Sequence, residues 1–238
     1  MTNILMVPQP FDSEILGQPV YLGKLQSEKD ISNLDSSIPA DAALVSIRIP
    51  AAWGNLMTAS RFRFIERLIT FERPLHPHCD NSFAEGVRLA TKTDAKECAE
   101  IASKAFFFDR YHIDPELEDS FADTTKQEWT KNNLNGRADV GFVSETRGKI
   151  MGFNLCLRTE SFAYIDLIAV AKHAQGLGLG KALIEASIAY YTGLTPFLRA
   201  GTQVTNKASV SIYRALGFYK IEESVTYHYT QQQTETGA

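Results

Sequence analysis

Residues 172–183 read KHAQGLGLGKAL, with Gly176, Gly178 and Gly180 at alternate positions directly after the apolar run of residues 165–171. Amides at a helix start point outward unpaired, and glycine lets a ligand approach the backbone closely. Glycines placed where a strand hands over to a helix therefore predict an anion site. A dinucleotide-binding loop would need G-x-G-x-x-G and an acidic residue about 20 positions on, yet no Asp or Glu occurs between Glu185 and Glu222. A nucleotide-hydrolase phosphate loop would need G-x-x-x-x-G-K-S/T. Here Gln175 stands where its first glycine should be, and Ala182 where its metal-binding hydroxyl should be. A simple corner needs only one or two permissive residues, which leaves an anion of another kind as the sharper reading.

The flanking elements are legible from periodicity. Residues 87–90 (VRLA) read as a short strand, and an Asp94/Glu97 capping pattern then opens a helix with Cys98, Ile101, Ala102 and Ala105 on one face. A second helix is predicted over residues 119–134, with Phe121 and Trp129 on one side and a stop near Gly136. Three strands follow, VGFVSE, KIMGFNLCLR and AYIDLIAVA, the first two joined at Arg147 and Gly148. After the glycine loop comes a helix bearing Leu179, Leu183, Ala186 and Tyr190, ended by Gly193 and Pro196. The strand FLRAGTQV, a helix over residues 206–216 capped by Gly217, and the strand YKIEESVTYHYT complete the order, with a tail at 231–238 expected to be disordered.

The first third carries a weaker copy of this ending. A shift of 156 residues lays RFRFIERLITFER over GFYKIEESVTYHY and pairs Phe62 with Phe218, Ile65 with Ile221, Glu66 with Glu222, Thr70 with Thr226 and Phe71 with Tyr227. The same shift brings ALVSIRI and the helix-like AAWGNLMTAS over the preceding strand and helix. An internal strand-helix-strand repeat and a chance likeness between two β-rich segments both account for this. The copy has no glycine loop, so it can supply sheet and acceptor surface but not a second anion site. The division expected is residues 1–84, a partial half, and residues 85–230, a complete domain.

Composition narrows the function classes. The 238 residues carry 28 acids and 24 bases, net −4, without a dense basic run that could neutralise a phosphate backbone, so nucleic acid is not an expected partner. Cys79, Cys98 and Cys156 lie far apart and lack the close pairing of zinc or redox sites. Reduced thiols and the absence of a span long enough to cross a bilayer lead to the expectation of a cytoplasmic protein that uses no metal. His76 and His78 are closely spaced, but Pro74 and Pro77 make this an extended linker, and no acidic or thiol partners are expected to complete a metal site there.

The pattern Gln-Gly-x-Gly-x-Gly between an apolar strand and a leucine-bearing helix, with Asn206, Ala208, Tyr213 and Gly217-Phe218 further on, resembles the GNAT superfamily of acyl-CoA-dependent N-acyltransferases. The resemblance covers residues 87–229; Lys172 departs from it, standing where the family often has proline. It implies an α/β fold with a mixed central sheet flanked by helices, preceded here by a partial GNAT-like half. It implies acetyl-CoA as co-substrate, with its pyrophosphate on the amides of residues 175–181 (Gln175, Gly176, Gly178, Gly180, Lys181) and its pantetheine amides on the backbone around Ile168 and Val170. By the same resemblance Asn206 contacts the cofactor and Tyr213 protonates the leaving thiolate, although a tyrosine packed in the core reads equally from the residue alone.

A narrower likeness runs through the N-terminal half-copy, the segment AFFFDRYHIDPELEDSFADTTKQEWTKNNLNGRADV, the strand FLRAGTQVTN and the ending SVTYHYT. Together these are similar to the dTDP-fucosamine acetyltransferases, which acetylate the 4-amino group of a nucleotide-linked 4-amino-4,6-dideoxyhexose in surface-polysaccharide synthesis. That resemblance puts Glu66 in the role of leading the amine's proton away, against the alternative that Glu66 and Glu222 are both exposed strand residues. It also puts Arg110, Tyr111 and His112 in a wall of the acceptor site. Arginine there could clamp a diphosphate and tyrosine could stack on a base, or Arg110 could be a salt-bridged loop residue. An amine on a peptide or protein is the alternative acceptor, favoured if Asp109, Asp114 and Glu116 form an acidic wall. A non-catalytic acyl-CoA-binding regulator is a third reading, and exposed sheet edges leave room for a homodimer. Trp53 and the aromatics at 106–108 are expected in the core.

Overall fold

The fold, taken from a computed structural model, is described for residues 4–76 and 82–231. His78, Cys79 and all of the expected tail except Gln231 lie outside these residues.

The elements are β1 (Leu5–Pro8), α1 (Pro10–Leu16), β2 (Val20–Lys24), β3 (Leu44–Pro50), β4 (Arg63–Pro74), β5 (Val87–Leu89), α2 (Ala95–Ala105), α3 (Asp119–Asn132), β6 (Val140–Thr146), β7 (Lys149–Arg158), β8 (Ala163–Val170), α4 (Leu179–Tyr191), β9 (Phe197–Gln203), α5 (Lys207–Ala215) and β10 (Tyr219–Thr230). All ten strands form one sheet in the order β1-β2-β3-β10-β4-β9-β8-β7-β6-β5.

The repeat is visible in that order. β4 and β10, which the 156-residue shift superposes, lie side by side and antiparallel at the centre, and each is inserted into the other half's sheet: β10 pairs with β3, and β4 with β9. Leu68 pairs directly with its repeat mate Ser224, so a local two-fold runs between them. Outward from this axis the pairing types match. The next pairs are parallel on both sides, β2 with β3 and β8 with β9, and these end at equivalent positions, Gly23↔Ile47 and Ile165↔Ala200.

Helices cover the sheet unequally. α4 and α5 bury Leu183, Ile184, Val210 and Tyr213 against Phe71, Ile165, Leu198 and Phe218. α2 packs its Cys98 and Ala102 on Phe153, Leu155 and Leu167 of the other face. Phe121 and Ala122 of α3 reach Val20 and Leu44, so α3 ties the second half to the first. Both described cysteines, Cys98 and Cys156, are buried free thiols. No helix among the described residues is long and apolar enough to cross a membrane.

Several local expectations are corrected. The first cap is a Thr91/Asp94 capping box, and Glu97 instead accepts the Ile150 amide at 3.2 Å. The segment AAWGNLMTAS folds as a 3-10 helix (Ala51–Ala59): the Gly54 carbonyl is engaged by the Tyr227 hydroxyl at 3.2 Å, a long-range contact that periodicity does not register. Of the aromatics expected in the core, Phe107 and Phe108 are half exposed, at 54% and 51%.

Candidate active site

The parallel pairing of β8 and β9 stops at Ile165↔Ala200, yet β8 runs on to Val170 and β9 to Gln203. The two strands thus part at Asp166 and Gly201. A bulge between Leu155 and Cys156 in the β7 pairing leaves Asp166 out of register and turns β8 at this point. Asn133 Nδ2 at 2.9 Å and Arg137 Nη1 at 2.6 Å hold the Asp166 carboxylate.

At the mouth of this opening stands the glycine loop. Gly176 and Gly178 take left-handed φ of 81° and 82°, a conformation that costs other residues free energy, while Gly180 lies inside α4. Gly178 is the N-cap, and the first helical bond runs from the Ala182 amide to the Gly178 carbonyl at 3.0 Å, so the amides of Leu179, Gly180 and Lys181 precede it. Gln175 ties the loop to β8 through Nε2 to the Val170 carbonyl at 3.2 Å. Lys181 is exposed and 3.5 Å from Glu185.

A cavity of about 250 Å³ opens between the parted strands and beneath α3. It brings together five of the residues expected at the site: Ile168, Asn206, Tyr213, Glu66 and Arg110. Asn206 caps α5, its Oδ1 accepting the Ser209 amide at 3.1 Å. Tyr213 is 2% exposed, its ring between Phe71 and Phe218, and its hydroxyl has no hydrogen bond among the described residues. Burial, with a smaller push from Cys156, raises the phenol above its ordinary value and keeps it a donor.

Glu66 is 4% exposed, whereas its repeat mate Glu222 lies at the surface. The exposed-strand reading is thereby excluded for Glu66. Its carboxylate accepts Gln203 Nε2 at 2.9 Å and the Thr226 hydroxyl at 3.2 Å, with Arg48 Nη2 at 3.4 Å. Gln203 comes from the second half and Glu66 from the first, a meeting that strand exchange makes possible.

The expected acceptor wall is only partly a wall. Arg110 lines the cavity, stacked 4.6 Å over Tyr111 and 5.6 Å over Trp129, with Nη2 donating to the Tyr111 hydroxyl at 3.0 Å. Tyr111 is 1% exposed, enclosed by Phe121, Trp129 and His228, and lines a neighbouring cavity together with Arg110. Its hydroxyl donates to Asp12 at 2.9 Å, and burial pushes its pKa up to about 12. His112 lines no cavity described here: Asp109 holds Nδ1 and Asp123 holds Nε2. Asp109 and Asp114, two of the three acids expected in an acidic wall, are buried. Asp114 is buried against Arg63 at 2.5 Å and His228 at 2.6 Å, and Glu116 pairs with Arg63 at 3.1 Å.

Residue-by-residue reading missed Arg48, Gln203 and Lys126. Lys126 lines the cavity from α3, buried at 3.7 Å from Asp109 and 4.5 Å over Trp129, and burial lowers its pKa against the pull of Asp109. A signal for it existed, a lysine on the same helix face as Ala122, Trp129 and Asn133. Arg48 carries no such signal, because its neighbours are set by β10. Among the described residues no group of three or more His, Cys, Asp or Glu is placed to hold a metal ion.

The family model for the Acetyltransferase (GNAT) family matches residues 96–218. The chain belongs to this family. The match spans α2, the glycine loop, the parted strands and α5, the elements that frame the cavity. Over 136 residues, 57% of the chain, it is 32% identical to the spore coat polysaccharide biosynthesis protein SpsD of Bacillus subtilis, and the aligned part makes up 47% of that relative. The chain thus spans about half the length of that relative. Among solved structures, it is similar to a GNAT-family protein from Novosphingobium aromaticivorans, with TM-score 0.58, 14% identity and coverage of 89% and 84% of the two chains. A GCN5-related N-acetyltransferase from Sphaerobacter thermophilus gives TM-score 0.59 at 17% identity over 95% and 76%. A tandem GNAT protein from the clavulanic acid biosynthesis pathway gives 0.55 at 12% over 90% and 76%. These likenesses identify the fold, a mixed sheet flanked by helices.

Proposed function

We propose that the protein is an acetyl-CoA-dependent N-acetyltransferase whose acceptor is the amino group of a nucleotide-linked amino sugar of the 4-amino-4,6-dideoxyhexose type. The observation that carries the reading is the cavity in which a protonated phenol from the second half and a buried carboxylate from the first face the same opening between parted strands. Acetyl-CoA supplies an activated thioester there. The free edges of β8 beyond Ile165 and of β9 beyond Ala200 suit pantetheine amides as an added strand, with Ile168 and Val170 as backbone partners. The left-handed loop at Gly176 and Gly178 and the leading amides of α4 suit a pyrophosphate, with Gln175, Gly180 and Lys181 in the same turn.

The amine attacks the thioester carbonyl directly in a ternary complex and must shed a proton. Glu66, which holds Gln203 and Thr226, accepts that proton directly or through one water. Tyr213 donates a hydrogen bond to the departing sulfur. A free thiol titrates near about 8.5 and is well served by such a donor. Because burial raises the phenol, hydrogen-bond donation dominates over full ionisation of Tyr213.

Two observations favour a sugar over a peptide amine. The carboxylates that would attract a cationic peptide are internally paired, Asp109 with Lys126 and His112, and Asp114 with Arg63 and a hydrogen bond to His228. The relative SpsD is described by its part in polysaccharide biosynthesis. Thiol release from acetyl-CoA, with nucleotide-linked 4-amino sugars and a mixed peptide set presented in parallel, tests the reading. Turnover with a sugar supports it; turnover with peptides alone overturns it.

A further inference from the structure

A second cavity, of about 240 Å³, lies on the first half's side of the molecule, lined by Gln9, Val20, Tyr21, Leu22 and Ser46 among others. It shares two residues with the first cavity, Arg48 and Arg110, so a pair of guanidinium groups stands where the cavities adjoin.

Neither arginine is satisfied as the other buried-partner arginines of this chain are. Arg63 meets Asp114 at 2.5 Å, and Arg88 meets Asp94 and Glu145 at 2.8 Å each. Arg48, by contrast, reaches Glu66 only at 3.4 Å and the Thr226 hydroxyl at 3.3 Å. Arg110 donates to a phenol, and its Nε is buried with no partner. The nearby carboxylate of Asp12 is spent on the Tyr111 hydroxyl and on Trp129 Nε1 at 3.1 Å. Burial lowers the pKa of Arg48 and the neighbouring Arg110 adds to this, against the pull of Glu66, whose carboxylate Arg48 reaches only at 3.4 Å. An anion bridging the two guanidinium groups would offset both effects and supply the missing acceptor for Nε of Arg110.

We infer that Arg48 and Arg110 form the seat of the acceptor's diphosphate, with the amine end reaching toward Glu66 in the first cavity and the nucleoside end in the second. This rests on the acceptor class proposed above and assigns it two specificity residues and a second cavity. Arg48 occupies the β3 position equivalent to Gly201 of β9, since Thr226 pairs with Arg48 and its repeat mate Thr70 pairs with Gly201. The first half therefore places a side chain where the second half leaves its strand bare.

Because coenzyme A also carries a pyrophosphate, the test uses the full chain saturated with coenzyme A. Thymidine diphosphate and inorganic pyrophosphate are then titrated by calorimetry into the wild type, Arg48→Gln and Arg110→Lys. The expected result is one thymidine diphosphate site, weakened roughly ten- to a hundredfold in each variant, with coenzyme A affinity unchanged and pyrophosphate binding more weakly than the nucleotide. Failure of thymidine diphosphate to bind the saturated wild type, or equal binding by both variants, overturns the inference; pyrophosphate binding as tightly as the nucleotide removes the second cavity's part in it. Turnover of a nucleotide sugar with a KM untouched by Arg48→Gln would sink this inference and leave the proposed function standing. Arginine-dependent diphosphate binding without turnover of any nucleotide-linked amine would do the reverse.

Discussion

Glu66 of the first half lies 2.9 Å from Gln203 Nε2 of the second, across a pairing that exists because β4 is inserted between β10 and β9. The carboxylate proposed to lead the proton away is thereby fixed from both halves. Glu66→Gln retains the shape and most of the hydrogen-bond partners, so the fold should persist. We expect kcat to fall roughly a hundredfold, in the range for a lost general base, with the acetyl-CoA KM unchanged. Steady-state kinetics over a range of pH check this. The variant's rate should climb with pH as more of the acceptor amine is unprotonated, and a wild-type rate would remove Glu66 from the chemistry.

The glycines of the loop separate into two kinds. Gly178 has φ 82°, and an alanine there costs roughly 1–2 kcal/mol. Gly180 is helical, and an added Cβ would meet nothing nearer than Val170 Cγ2 at 3.8 Å, so Gly180→Ala should be neutral or stabilise by roughly 0.5–1 kcal/mol. Urea denaturation of the two variants measures both values. If Gly178→Ala proves as stable as the wild type, the left-handed turn is not required. Gly178→Ala should also raise the acetyl-CoA KM.

Strand exchange makes the halves interdependent. A fragment of residues 1–84 has β3 and β4 but lacks β10, which lies between them; a fragment of residues 85–238 lacks β4 between β10 and β9. Each alone should show little cooperative structure by circular dichroism, and mixing them should restore it. Cooperative unfolding of either fragment by itself would contradict the exchange.

Two histidines should pull stability in opposite directions with pH. Burial pushes His228 below its ordinary value, against Asp114 and helped by Arg110. The unfolded chain therefore binds the extra proton below about pH 6.5, and stability present above that pH is lost as pH falls. At His112 burial is outweighed by Asp109 and Asp123, which raise it. Its contribution is present below about pH 6.5 and lost as pH rises through the raised value. Unfolding midpoints between about pH 5 and about pH 8 should lose their acid limb in His228→Asn and their alkaline limb in His112→Asn. Unchanged profiles in both variants would exclude these assignments.

Much of the frame was legible because it is local. The glycine loop, the helix starting at Leu179 and the cap at Asn206 follow from turn chemistry and periodicity. The 156-residue shift matches β4 to β10 end to end, Arg63 to Tyr219 and Pro74 to Thr230. That the two strands change places was not legible, since pairing partners far apart in sequence leave no local pattern. The same cause hid Arg48 and made Glu66 ambiguous: their neighbours Thr226 and Gln203 arrive through β10 and β9. The burial of Tyr111 was hidden in the same way, because its partners Phe121 and Trp129 arrive on α3.

The most direct measurement is identification of the product formed from acetyl-CoA and a nucleotide-linked 4-amino-4,6-dideoxyhexose, by mass spectrometry and nuclear magnetic resonance, for the wild type and Tyr213→Phe. The account predicts acetyl on the sugar's amino nitrogen, formed roughly a hundredfold more slowly by the variant. Because the Tyr213 hydroxyl has no protein partner among the described residues, the variant should keep wild-type stability. A sugar left unmodified by the wild type while a peptide amine in the same mixture is acetylated would contradict it.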